Sequence, residues 1–175
     1  MKKFQLIIST ILVFSLIVFV KSGILGQEFQ EIKKQSYQAY LNNSIAAWEA
    51  IEKDVKKRYS AHPLNMHQLY QLTWVQYGML NTCLANQAEE VFKESIDEAK
   101  SNADELLEAN EKWAAAHALK AGLLSLEMGF SMAKGMLLGP KSASHIEKAI
   151  HYNANEPLGW VQKGGSKLHT PKMFG

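Results

Sequence analysis

Ser142-Ala-Ser-His-Ile146-Glu-Lys-Ala149-Ile-His-Tyr-Asn153-Ala-Asn-Glu-Pro157-Leu-Gly-Trp160-Val-Gln-Lys-Gly164 is the stretch that decides how this chain folds. Small Ser142, apolar Ile146 and small Ala149 follow at steps of four and three, which puts them on one face of a helix. Asn153 to Pro157 make a polar turn, and a second helix can begin at Pro157 with Trp160 and then Gly164. The segment reads as the end of one helical repeat and the start of another.

Working outward, no part of the chain beyond its first residues reads as strand. Seven helical stretches are expected, with breaks at Asn42-Asn43, His62-Pro63, Ala85-Asn86, Asn110, Gly139-Pro140 and Asn153 to Pro157. The second, 44–59, carries Ile45, Trp48, Ile51, Val55 and Tyr59 on one face and charges on the other, with Asn43 or Ser44 as cap. The third, 65–84, is apolar over most of its girth. The fourth, 86–109, opens on Asn86-Gln-Ala-Glu89, a capping-box pattern, and has one apolar face from Phe92 to Leu106. The fifth, 112–134, is apolar on two sides and contains Gly122, which a close neighbouring helix would explain. The sixth follows Pro140 with Ser142 or Ser144 as cap, and the seventh begins at Pro157. Odd helices are thus apolar nearly all round, even ones on one face. That alternation predicts an all-α fold of stacked antiparallel helix hairpins, each first helix sandwiched and each second helix partly solvated.

The order of small residues, Asn/Pro turn, aromatic and glycine in 142–164 resembles the tetratricopeptide-repeat (TPR) family. Gly139-Pro140-Lys141-Ser142, His145 to Ala149 and Thr170 to Gly175 are similar to exported TPR-type proteins of Bacteroidota. The resemblance implies a right-handed superhelix of helical hairpins that binds proteins or peptides. Three features depart from the family: Ala154 where its turn has proline, Lys163 and Lys167 at usually apolar places, and about a dozen extra residues between Gly129 and Pro140. A helix begun at Pro157 has no following partner before Gly175, which leads us to expect that the natural product continues. The alternative is that this last helix is itself the cap, helped by Lys163 and Lys167.

At the other end, Lys2 and Lys3 precede fifteen mostly apolar residues, Leu6 to Val20, and Lys21-Ser22 follow. A positive start and a short greasy run describe a signal peptide, shorter than the roughly 20 residues of a spanning helix. The expected organisation is a signal segment at 1–22 and a helical domain at 23–175, exported to the periplasm, or membrane-associated if residues 4–20 stay as an anchor. The chain holds 19 basic and 17 acidic residues; the first 22 contain Lys2, Lys3 and Lys21 and no acid, leaving 16 against 17. A near-neutral domain gives no support for nucleic-acid binding. Cys83 is the single cysteine, so no intrachain disulfide forms.

Few residues stand in a pattern that chemistry requires. Gly135-Met-Leu-Leu-Gly139-Pro140-Lys141-Ser142 has the wrong spacing and a preceding helix, so it is a loop and helix start rather than a phosphate loop. The six histidines offer no ligand pair on one turn, His145 and His151 falling on different faces. Cys83, between Leu80 and Leu84, reads as a buried thiol. His145, Lys141, Lys172 and Phe174 belong to the family-like segments and are placed in loops or helix starts that shape and cap. No catalytic, cofactor or metal residue is assigned, no cofactor is expected, and ligand-binding residues stay unassigned. The expected function is a non-enzymatic scaffold holding a protein or peptide. A membrane-tethered assembly subunit and an enzyme with an unrecognised site are the alternatives.

Overall fold

The computed structural model of this protein describes residues 27–169; the expected signal segment and anchor, Lys172, Phe174 and the rest of 170–175 lie outside the described residues. Those described are all-helical, with no strand among them. The described part of α1 is 27–41. Then come α2 Ile45–Ala61, α3 Met66–Ala85, α4 Glu89–Ala109 and α5 Ala114–Phe130, a 3-10 turn at Met132–Lys134, α6 Gly135–Tyr152 and α7 Pro157–His169.

Local chemistry explains most starts and stops. The Ser44 hydroxyl accepts from Ala47 N at 3.2 Å and caps α2. The Asn65 side chain accepts from His67 N and Gln68 N at 3.1 and 3.2 Å and caps α3. The capping box expected from Asn86 to Glu89 does not form. Asn86 closes α3 instead, its amide donating to the Thr82 carbonyl at 3.0 Å, and Gln87 then turns through φ 56°. That left-handed residue delays the helix start, and Ala88 begins α4 without a side-chain cap. The break expected at Gly139-Pro140 is also absent. α5 ends four residues sooner than the expected 134, and α6 starts at Gly135 and runs through Pro140. Proline lacks the N–H that would reach Met136, but Met136 lies in the first turn and is highly exposed, so little is lost by the missing bond. Ser142 and Ser144 consequently cap nothing. Ser142 is buried mid-helix and donates to the Ala121 carbonyl at 3.0 Å.

Named contacts give the directions. Trp48 near the start of α2 lies over Gly78 late in α3, and Phe92 early in α4 meets Phe130 at the end of α5 at 4.5 Å. Gly159 of α7 rests on Ala149 and Ile150 of α6. Successive helices are antiparallel. The odd helices run side by side in parallel: Phe29 of α1 sits edge-on to Tyr70 and Trp74 of α3, Leu84 of α3 packs at Gly129 of α5, and α5 touches α7. Among the described residues the backbones of α2 and α4, and of α4 and α6, do not approach each other closely; each rests on the odd helix between. One turn recurs three times, with Asn65 N, Trp113 N and Glu156 N bonded to His62 O, Asn110 O and Asn153 O at 2.9, 3.1 and 3.0 Å. These mark a structural repeat of about 45 residues, longer than the 34 of a TPR unit.

Burial follows the expected alternation. α2, α4 and α6 bury one stripe each, Trp48-Ile51-Val55, Phe92 to Leu106, and Ser142-Ile146-Ala149. α3 and α5 are buried nearly all round, although part of what they bury is polar: Gln68, Gln71 and Gln76 on α3, His117, Lys120 and Glu127 on α5. The close approach expected at Gly122 is found. A Cβ there would lie 2.6 Å from both the Tyr77 ring of α3 and the Gln162 amide of α7.

Candidate functional site

Two surfaces concentrate side chains able to bind something. The first lies along the odd helices. Tyr70 stacks on Trp113 at 5.4 Å, the His67 ring meets Trp113 edge-on, and Phe29 closes the row against Tyr70 and Trp74. These aromatic bodies are half-buried rather than sealed. They sit at steps of four on α3, the spacing that keeps Tyr70 and Trp74 on one helical face. Burial, helped by the nearby Glu156 carboxylate, pushes the Tyr70 hydroxyl up to about 12, so it stays a neutral donor. Further along, the Gln162 amide donates to the Tyr77 hydroxyl at 2.7 Å and links α7 to α3.

The second is an open groove of about 830 Å³ between α4 and α6, floored by α5. Lys120, Leu124 and Glu127 form the floor; with His117 they stand at steps of three, four and three along α5, one face of the helix. Asp97, Lys100, Ser101 and Asp104 supply the α4 wall, and Leu138, Pro140, Lys141, Ser144 and His145 the α6 wall. The buried charges are paired. Lys120 Nζ contacts Asp104 Oδ2 at 2.7 Å and donates to the Lys100 carbonyl at 3.1 Å. Glu127 is bridged by Lys100 at 2.8 Å and Lys134 at 2.6 Å. Burial works against its charge, but the two ammoniums prevail and hold its carboxyl below the usual value.

At one end of the groove His117 and His145 meet through their Nδ1 atoms at 2.8 Å. The Glu111 carbonyl, 2.8 Å from His117 Nε2, can only accept, which fixes the proton of neutral His117 on Nε2. His117 Nδ1 is therefore the acceptor and His145 Nδ1–H the donor, leaving His145 Nε2 with an open lone pair. Burial, then the neighbouring His117, Lys120 and Lys148, push His145 down to about 4, against the opposing pull of Asp104. His117 is lowered as well, by burial first and by Lys148, with its bond to Glu111 opposing. Both imidazoles are thus pushed towards the neutral form.

Of the residues singled out from the sequence, Lys141 and His145 come together here, inside α6 rather than in a loop or at a helix start as expected. Gly135 to Ser142 is helix, not loop. Cys83 is fully buried, and its thiol is pushed up to about 11 by burial and by Glu49, as an inert core thiol should be. Sequence reasoning missed His117, Lys120, Glu127 and their partners. The available signal was three ionisable side chains on one face of a helix otherwise buried throughout. Among the described residues no three of His, Cys, Asp or Glu form a metal-holding group, and no helix is long and apolar enough to cross a membrane. No protein-family model, curated protein or solved structure matches this chain.

Proposed function

We propose that this chain is an exported scaffold of the tetratricopeptide-like kind, without enzymatic activity, that holds a protein or peptide along its odd-helix face. The observation that carries the reading is the half-buried row of Phe29, Trp74, Tyr70 and Trp113 across three parallel helices. Rigid aromatic side chains on a preformed surface are the groups that dominate protein–peptide binding energy, because they bury much area for little lost freedom. Side-by-side parallel helices with short recurrent turns suit a superhelical stack, and such stacks offer extended binding surfaces. The longer repeat distinguishes the stack from a regular 34-residue array without altering this argument.

A displayed peptide library selected against the full chain tests the proposal. Enriched peptides should lose roughly tenfold or more in affinity on Trp74→Ala or Trp113→Ala. They should be unaffected by Lys57→Ala on the exposed side of α2. No enrichment, or enrichment indifferent to both tryptophans, refutes it. Intact-mass measurement of the secreted product tests export: a loss of about 22–26 residues supports a cleaved signal, and an intact chain supports a retained anchor.

A further inference from the structure

The space between α2 and α4 and that between α4 and α6 are equivalent positions one repeat apart, yet only the first is tied shut. Across it Lys56 Nζ meets Glu98 Oε1 at 2.6 Å, and the Tyr59 hydroxyl donates to Glu105 at 3.2 Å. A relay also passes over α3: Asn102 donates to Gln76 and Gln76 to Glu52, each at 2.9 Å. Across the second space no side chain of α4 bonds to one of α6 among the described residues, and the groove stands open. The groups that could close it are nonetheless there. On the α6 wall the Lys141 ammonium and the Ser144 hydroxyl have no partner among the described residues, and His145 has only Nδ1 engaged there. On the floor Lys120 uses two of its three N–H bonds, on Asp104 and the Lys100 carbonyl. The carboxylates of the site are already taken: Asp97 by Lys100, Asp104 by Lys120, and Glu127 by Lys100 and Lys134.

We propose that this groove binds an oxyanion, the phosphate or carboxylate group of a small ligand, between Lys120 and Lys141 with Ser144 donating a hydrogen bond. The unspent donors are cationic or hydroxylic, and Leu124, Leu138 and Pro140 offer an apolar wall for the body of the ligand. The field at His145 agrees. Its proton is disfavoured by burial first and then by His117 and Lys120 from α5 and Lys148 from α6, while Asp104 from α4 is the one opposing charge. A bound anion reverses that balance and favours a proton on His145 Nε2, so binding takes up a proton and strengthens as pH falls. The inference stands on a different face from the aromatic row and does not depend on it.

The test is a histidine-ring NMR titration of the full chain in chloride, in inorganic phosphate and in acetate, at matched ionic strength. The His145 midpoint should rise by about one unit, saturably, in the anion that fits. His62 and His151, both exposed, report any general salt effect. A rise in phosphate alone assigns a phosphate-bearing ligand, and a rise in acetate a carboxylate. Lys141 is exposed and unpaired, so Lys141→Gln leaves the fold intact; it should weaken the apparent affinity roughly fivefold, the worth of one solvent-accessible charge contact. An unchanged His145 midpoint in all three media overturns the proposal. So does a rise that Lys141→Gln leaves untouched.

Discussion

Replacing Gly122 by alanine tests the arrangement on which everything else rests, the meeting of α3, α5 and α7. The new methyl would stand 2.6 Å from Tyr77 Cε2 and 2.6 Å from Gln162 Nε2. Carbon atoms pack comfortably at about 3.5 Å, so the ring must withdraw by roughly 0.9 Å. The Gln162 amide must swing away too, straining the 2.7 Å bond it gives to the Tyr77 hydroxyl. Overpacking of this kind costs about 1–3 kcal/mol, and alanine returns about 1 kcal/mol of helix propensity. The expected net loss is roughly 1 kcal/mol, or about 2–4 °C in Tm for a chain of this size. Gly164 in α7 is the control, because a Cβ there meets nothing within 4 Å. Gly164→Ala should gain about 0.5–1 kcal/mol from propensity alone. Urea unfolding followed by circular dichroism reads both. Stabilisation of the same size in both variants would mean that neither Tyr77 nor Gln162 lies against Gly122, and the parallel row of odd helices would fall with it.

Three further outcomes concern single side chains. His145 is held at about 4 when folded against an ordinary 6.5, so between those values the native state binds fewer protons than the unfolded chain. Its contribution is complete above about pH 6.5 and is lost as pH falls towards 4; the difference in urea midpoint between wild type and His145→Gln should change over that window and be flat above it. Glu127→Gln leaves Lys100 and Lys134 without their shared carboxylate, and because both are partly solvated the expected cost is about 1–2 kcal/mol by chemical denaturation, below that of a sealed pair. Gln87 sits at φ 56°, where a side chain is strained, so Gln87→Gly should raise the thermal midpoint by the equivalent of about 0.5–1 kcal/mol despite glycine's greater freedom when unfolded.

What could be read from the residues, and what could not, divides along the range of the interactions involved. Trp48, Ile51 and Val55 at helical steps foretell a one-sided α2, and Asn153 to Pro157 foretell the turn before α7, because both depend on neighbours a few residues away. Gly122 foretells a close approach without naming Tyr77 or Gln162, which come from 45 and 40 residues off. Errors of boundary arose where local signals competed. Pro140 looks like a helix breaker, but it stands one turn into α6, where little hydrogen bonding is lost; the break falls instead at Ser131 to Lys134, which carries no proline at all. Asn86 and Glu89 have capping-box spacing, yet Asn86 is claimed by Thr82 and by Asn43 of the turn between α1 and α2. The polar groove was illegible for a different reason. His117, Lys100, Asp104 and His145 each look like ordinary surface residues alone, and only the stacking of three helices makes them one site.

Among the described residues, direct ties between outer helices occupy one side of the stack and leave the other without any. Around α3 the outer helices are laced together by Lys56–Glu98 and Tyr59–Glu105. Around α5 no such lacing joins α4 to α6 among the described residues; each is fastened to α5 instead, α4 by Lys100–Glu127 and Asp104–Lys120, α6 by Ser142 and His145. An exchange of side chain on the α6 wall, at Lys141 or Ser144, therefore breaks no bond to α4.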